Sequence, residues 1–273
     1  MSIRDIHFCL FSSLCFFSPT KKMSNFLHIL LHVIGLLHFV PHAKTTEPLY
    51  DITDPAFIDE CVTEHNRHRA NVNPPASNMR YMTWDEGLAR SAQAWARNCF
   101  PQNNPYNQPG RMHPIFTIVG ENNYACAPCG NNFKVQSAIK AWMSQDQHYN
   151  YDSNKCSRQC SRYLQVVWAD TYKVGCAAQV CQNGVAGLST DPGIVFVCHY
   201  ATAGNYAGVS PYKKGKSCSG CGTETCENNL CRNSTRDTQK RYNWRPDWDP
   251  AISSCNSLCG SFHEIDAFCI PEK

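Results

Sequence analysis

An α+β sandwich is the fold class this sequence predicts, on three observations. Helical patterns cluster in its first half, two strand patterns stand together in its second, and no strand–helix–strand unit repeats along it. Thr53 or Asp54 can cap a first helix with Pro55 at its first position. Phe57, Ile58, Cys61, Val62 and His65 then share one face, and Asn73-Pro74-Pro75 ends the segment. A second helix over about 85–99 puts Leu88, Ala92, Trp95 and Cys99 on a stripe. Residues 101–114 are a loop by composition.

Residues 115–119 predict a short strand that runs into Gly120-Glu121-Asn122, followed by a loop rich in Gly, Asn and Cys. A third helix is expected from near Asn132, with Val135, Ile139 and Trp142 buried. The run 163–168 fits a helix or a strand. Residues 174–180 and 194–199 predict two strands, joined by a loop containing Asn183-Gly184 and Asp191-Pro192-Gly193. From Pro211 the composition shifts. Cys218, Cys221, Cys226 and Cys231 stand among polar residues with one leucine, which predicts a small stapled module or hinge with almost no core. The tail, 232–273, is polar and carries Cys255, Cys259 and Cys269; its basic part, 232–245, predicts a solvated segment.

Charge and cysteines bound the compartment and partners. A net charge of +3 with scattered Lys and Arg argues against nucleic acid. The apolar run 26–40 is too short to span a bilayer comfortably and predicts a secretory signal over 1–43, with Met23 a candidate working start; a signal anchor is the alternative. No later stretch approaches eighteen apolar residues, so the mature chain is expected to be soluble and released. Two of eighteen cysteines fall in the leader, and the remaining sixteen predict disulfides in an oxidising compartment. The pairs Cys126-x-x-Cys129 and Cys218-x-x-Cys221 read as bridges rather than zinc knuckles, because no second pair or histidines stand at zinc spacing. Asn233-Ser234-Thr235 is an N-glycosylation acceptor.

Four motifs in order carry a family resemblance. They are His65-Asn66-x-x-Arg69, Gly120-Glu121-Asn122, the block Tyr163-Leu164-Gln165-Val166-Val167-Trp168, and Cys198-His199-Tyr200 with Gly204-Asn205-Tyr206. Together they resemble the cysteine-rich secretory and pathogenesis-related (CAP) superfamily from about Asp54 to Cys231. The phrases at 81–85 and 168–176 are most similar to its glioma pathogenesis-related branch. The resemblance implies a three-layer α-β-α sandwich over 44–212 and a hinge over 213–231 that pairs Cys218 with Cys226 and Cys221 with Cys231.

The resemblance also implies a cavity lined by two His and two Glu, whose matching positions here are His65, Glu121, Gln145 and Arg162. Two of the four are replaced. An arginine stays protonated and offers no lone pair, and a glutamine cannot serve as general base. A bound divalent metal is therefore not expected, although His148, three residues beyond Gln145, is a candidate substitute ligand. Arg162 is expected to pair with Glu121 in the metal's place, or else to point to solvent.

No catalytic set and no cofactor are expected on this reading. The expected function is a secreted, non-enzymatic binding module for an extracellular protein or for a sterol or fatty acid. Its rivals are an extracellular metal-dependent hydrolase and a peptidase inhibitor or defence protein.

Overall fold

The computed structural model describes residues 50–129 and 132–252. The leader and Cys255, Cys259 and Cys269 lie outside the described residues. Helix α1 (Pro55–Arg69) starts where Asp54 accepts from the Ala56 N–H at 3.0 Å, with Pro55 at the position that needs no donor. After β1 (Thr83–Trp84), α2 (Glu86–Ala96) is capped by Asp85, whose carboxylate accepts from Leu88 N. Then come β2 (Gly120–Cys126), α3 (Val135–Met143) and a 3-10 turn (Ser144–His148). The hairpin β3 (Tyr149–Asn150) and β4 (Lys155–Cys156) leads to α4 (Ser161–Val166), so the ambiguous 163–168 run begins as helix. Strands β5 (Lys173–Cys181) and β6 (Gly193–Ala201) follow, then a hinge hairpin of β7 (Thr225–Glu227) and β8 (Leu230–Arg232), and the short turn α5 (Ser234–Asp237).

The sheet runs β1-β5-β6-β2, with only the β1–β5 pair parallel. Every residue of β6 is buried, because helices cover both faces of that strand; its apolar run is continuous for that reason. Helix α2 covers one face through β5 and β6, while α1, α3 and α4 cover the other. On the latter face Tyr200 meets His65 and Phe196 stacks on Trp142 with ring centroids 5.6 Å apart. The architecture is the expected three-layer α+β sandwich.

Close approach of α2 depends on Gly175. A Cβ there would lie 2.1 Å from Ala89 N and 2.5 Å from Asp85 O, both backbone atoms that cannot step aside. Gly175→Ala should therefore destabilise the domain by about 2 kcal/mol, read as a lowered urea midpoint with an unchanged slope.

Two local expectations need correcting. Residues 115–119 form no strand, since the His113 ring accepts from both Ile115 N (3.1 Å) and Phe116 N (3.0 Å) and turns the backbone there. Conversely, the expected loop after Gly120-Glu121-Asn122 is strand as far as Cys126. Pairing along β6 overrides the poor strand propensity of two asparagines.

Six disulfides join described cysteines. Cys99–Cys181 ties the end of α2 to the end of β5, and Cys176–Cys198 links facing positions of β5 and β6. Cys126–Cys129 and Cys156–Cys160 close small rings, and the hinge pairs Cys218 with Cys226 and Cys221 with Cys231. Cys61 is buried and free. No helix among the described residues is long and apolar enough to cross a membrane.

The basic part of the tail is exposed over 238–241 and at Asn243 and Arg245, as expected of a solvated segment, but it is anchored to the body at several points. Lys173 Nζ donates to Thr238 O at 2.8 Å, and Arg90 donates to Trp244 O at 3.0 Å. Arg97 Nη1 meets both carboxylate oxygens of Asp249 at 2.7 Å, while Trp248 stacks on Tyr106 at 5.3 Å. Residues 238–249 thus form a strap along α2 and the 104–113 loop. Aromatic residues at 242, 244 and 248 supply apolar area that a count of charges overlooks.

Candidate functional site

His65 is the one histidine among the four positions that the resemblance assigns to the cavity. It is fully buried on α1, and both ring nitrogens are committed. Nδ1–H donates to Cys61 O at 2.7 Å, while Nε2 stands 2.9 Å from the Tyr200 hydroxyl. Asn122 Nδ2 also points at that hydroxyl oxygen, so the Tyr200 O–H is left to donate to Nε2. Burial pulls His65 down to about 4, so the ring is neutral and acts as acceptor. Burial also holds Tyr200 well above its ordinary range.

Glu121 lies on the opposite face of the sheet. Side chains alternate along β2, so Asn122 turns toward α4 while Glu121 and Asn123 turn toward α2. Glu121 Oε2 accepts from His199 Nε2 at 3.0 Å, and Oε1 accepts from Asn104 N (2.9 Å) and Asn123 Nδ2 (2.7 Å). His199 Nδ1 in turn sits 2.7 Å from Ser91 Oγ on α2. The sheet therefore separates His65 from Glu121, and the two do not share a cavity.

Gln145 and Arg162 do meet, though through the backbone. Gln145 Oε1 accepts from Arg162 N (3.0 Å) and Tyr163 N (3.4 Å), which caps the start of α4. Asn122 Nδ2 binds Arg162 O at 3.0 Å, so this pair packs against β2 one residue beyond Glu121. The Arg162 guanidinium is half-buried and makes no ion pair among the described residues; desolvation lowers it from its ordinary value. The expected Arg162–Glu121 pair is thus not formed, because His199 already occupies the carboxylate. His148 closes the 3-10 turn, and its carbonyl accepts from Ser157 N.

The metal implied by the resemblance does not fit these residues. His65 is saturated inside the core, Glu121 has three donors on two oxygens, Gln145 is a cap and Arg162 is a cation. Among the described residues no group of three or more His, Cys, Asp or Glu side chains could hold an ion.

Two buried polar groups went unnoticed in the sequence. Ser91–His199–Glu121 has the connectivity of a nucleophile, a base and an orienting acid. Ser91 and His199 are both 0% exposed, however, so no substrate can reach the hydroxyl. The chain of bonds clamps α2 to the sheet. The signal for it was positional: antiparallel pairing sets Glu121 directly opposite His199. The second group is Asp85, His113 and Tyr242. His113 Nε2–H donates to Asp85 Oδ1 at 2.9 Å, and Tyr242 donates to Oδ2 at 3.1 Å, which fastens the strap to the cap of α2.

Comparison with known proteins agrees with this architecture. Residues 62–200 match the cysteine-rich secretory protein family, CAP. GLIPR1-like protein 1 of Bos taurus is 44% identical over 240 residues, which cover 87% of this chain and 94% of that protein. Glioma pathogenesis-related protein 1 of Mus musculus is 45% identical over 207 residues, covering 75% and 76%. The crystal structure of NaASP2 with Zn2+ superposes with a TM-score of 0.52 at 24% identity, over 66% of this chain and 96% of that one, a likeness of fold alone. The order of the four motifs, the three-layer sandwich and these matches agree: the chain belongs to the CAP, or cysteine-rich secretory protein, family.

Proposed function

We propose that this chain is a secreted, non-enzymatic CAP-domain binding protein. One observation carries the reading. Glu121, the single carboxylate among the four positions matched to the family's cavity, is consumed by His199, Asn104 and Asn123, and its side chain is only 5% exposed. A hydrolase needs a free base or a polarising ion next to substrate, and these residues offer neither. Export is supported by six disulfides in one domain and by the expected leader. Asn233 also fits an exported chain. Its Oδ1 caps the 234–237 turn by accepting from Thr235 N and Arg236 N, which leaves Nδ2 for a glycan.

The partner is an extracellular protein or a sterol or fatty acid. Mass spectrometry of the purified chain separates them, since a lipid carrier brings its lipid through purification. Calorimetry with Zn²⁺ tests the loss of metal chemistry. No saturable step in the micromolar range is expected, and Glu121→Gln should leave the trace unchanged. Stoichiometric binding that Glu121→Gln abolishes, or chelator-sensitive cleavage of a peptide library, would overturn the reading.

A further inference from the structure

Lys240 and Arg241 are adjacent, exposed and outside any helix, strand or turn, at the point where the chain leaves the hinge and enters the strap. Among the described residues no hydrogen bond holds the backbone of residues 239–241. Endoproteases bind substrate as an extended strand and need its backbone groups free. Other basic positions nearby do not meet that need. Lys213-Lys214 is exposed, but three of its four backbone groups are bonded: Lys213 N to Asn78, Lys213 O to Ser77, and Lys214 N to the Tyr151 hydroxyl. Arg236 lies in α5 and pairs with Glu224 and Asp237. Arg245 precedes Pro246, whose tertiary amide trypsin-like enzymes reject.

We propose that the Arg241–Tyr242 bond is a limited-proteolysis site for a serine endoprotease specific for paired basic residues. Cleavage adds water across that amide. Arg241 keeps the carbonyl as a new carboxylate, and Tyr242 gains a free ammonium. The 238–249 strap then ceases to be a continuous part of the domain. Among the described residues, 242–252 are held along α2 and the 104–113 loop by side-chain contacts: the Tyr242–Asp85 bond, the Arg90–Trp244, Arg97–Asp249 and Arg111–Asp247 contacts, the Trp248 indole N–H on Arg111 O, the Trp248–Tyr106 stack and the packing of Tyr242 and Trp244 on His113.

Tyr242 gates the cut. Its ring packs edge-on against His113 at 4.8 Å and its hydroxyl reaches Asp85, so the residue after the scissile bond must lift before a protease can seat the segment. Cleavage then tracks the population of that open form.

The test uses the full chain, a paired-basic-specific endoprotease, and fragment masses read after reduction. A single early cut after Arg241 is expected. The double substitution Lys240→Gln, Arg241→Gln should leave the chain intact over the same time, and Tyr242→Phe, lacking the bond to a carboxylate, should be cut roughly tenfold faster. A first cut after Lys214 or any other site would overturn the proposal. So would an uncut folded chain whose unfolded form is cut at Arg241, or a Tyr242→Phe rate equal to that of the unaltered chain.

Discussion

Arg69→Met is expected to lower the melting temperature of this domain by about 10 °C, the largest effect of any substitution considered. The guanidinium at the end of α1 is 1% exposed and donates to five backbone carbonyls. Nε and Nη2 bind Arg80 O, Nη1 binds Val166 O and Trp168 O, and Nη2 also reaches Ala169 O and Thr171 O. Among the described residues Arg80 O, Val166 O and Thr171 O receive no other donor, and the Val166 carbonyl is one that α4 exposes at its C-terminal end. Burial pulls Arg69 down to about 9, which still leaves it charged at neutral pH. Methionine fills much of the volume but donates nothing, so several buried acceptors are stranded at once, at a cost of about 4 kcal/mol. Arg69→Lys should recover less than half of that, because one ammonium cannot span five acceptors. Differential scanning calorimetry decides it: a fall of less than 2 °C for Arg69→Met would refute this account of the motif.

His65 makes stability depend on acid. Its folded value is about 4 against an ordinary 6.5, chiefly because burial disfavours the charged ring. The sign follows from proton uptake. Below about 6.5 the unfolded chain binds a proton that the folded chain refuses until about 4, so stability is fully present above that window and is lost as pH falls through it. The contribution approaches 3 kcal/mol at the bottom of the window. Protonation would also give Nε2 a hydrogen that collides with the Tyr200 donor. Urea unfolding at pH 7 and pH 4.5 should show an acid loss about 2–3 kcal/mol larger for the unaltered chain than for His65→Gln, which cannot titrate. Equal losses in the two proteins would mean that His65 is not the group responsible.

Both residues belong to one stretch, His65-Asn66-x-x-Arg69, which the sequence singles out; within it only His65 departs from expectation, standing in the core instead of lining a cavity with Glu121. Helical spacing places His65 on the inner face of α1 and predicts burial. Which layer that inner face touches depends on the side of the sheet that α1 covers, and no local pattern encodes this. The same limit applies at Glu121. Alternation along a strand fixes that Glu121 and Asn122 point oppositely, but pairing with β6 decides which of them meets His199 and which meets Tyr200.

By itself the sequence determined the fold class, the start and cap of α1, the stapled hinge region, and that Gln145 and Arg162 stand at two positions where the resemblance implies Glu and His. Those features rest on spacing, turn chemistry and residue identity, all of which act within a few residues. Only the tertiary structure decided that Arg162 finds no carboxylate, that Ser91, His199 and Glu121 close into a buried clamp, and that residues 238–249 lie along α2. Each of these depends on groups brought together from distant parts of the chain, where competition for a single carboxylate is settled by which donor the folded sheet presents first.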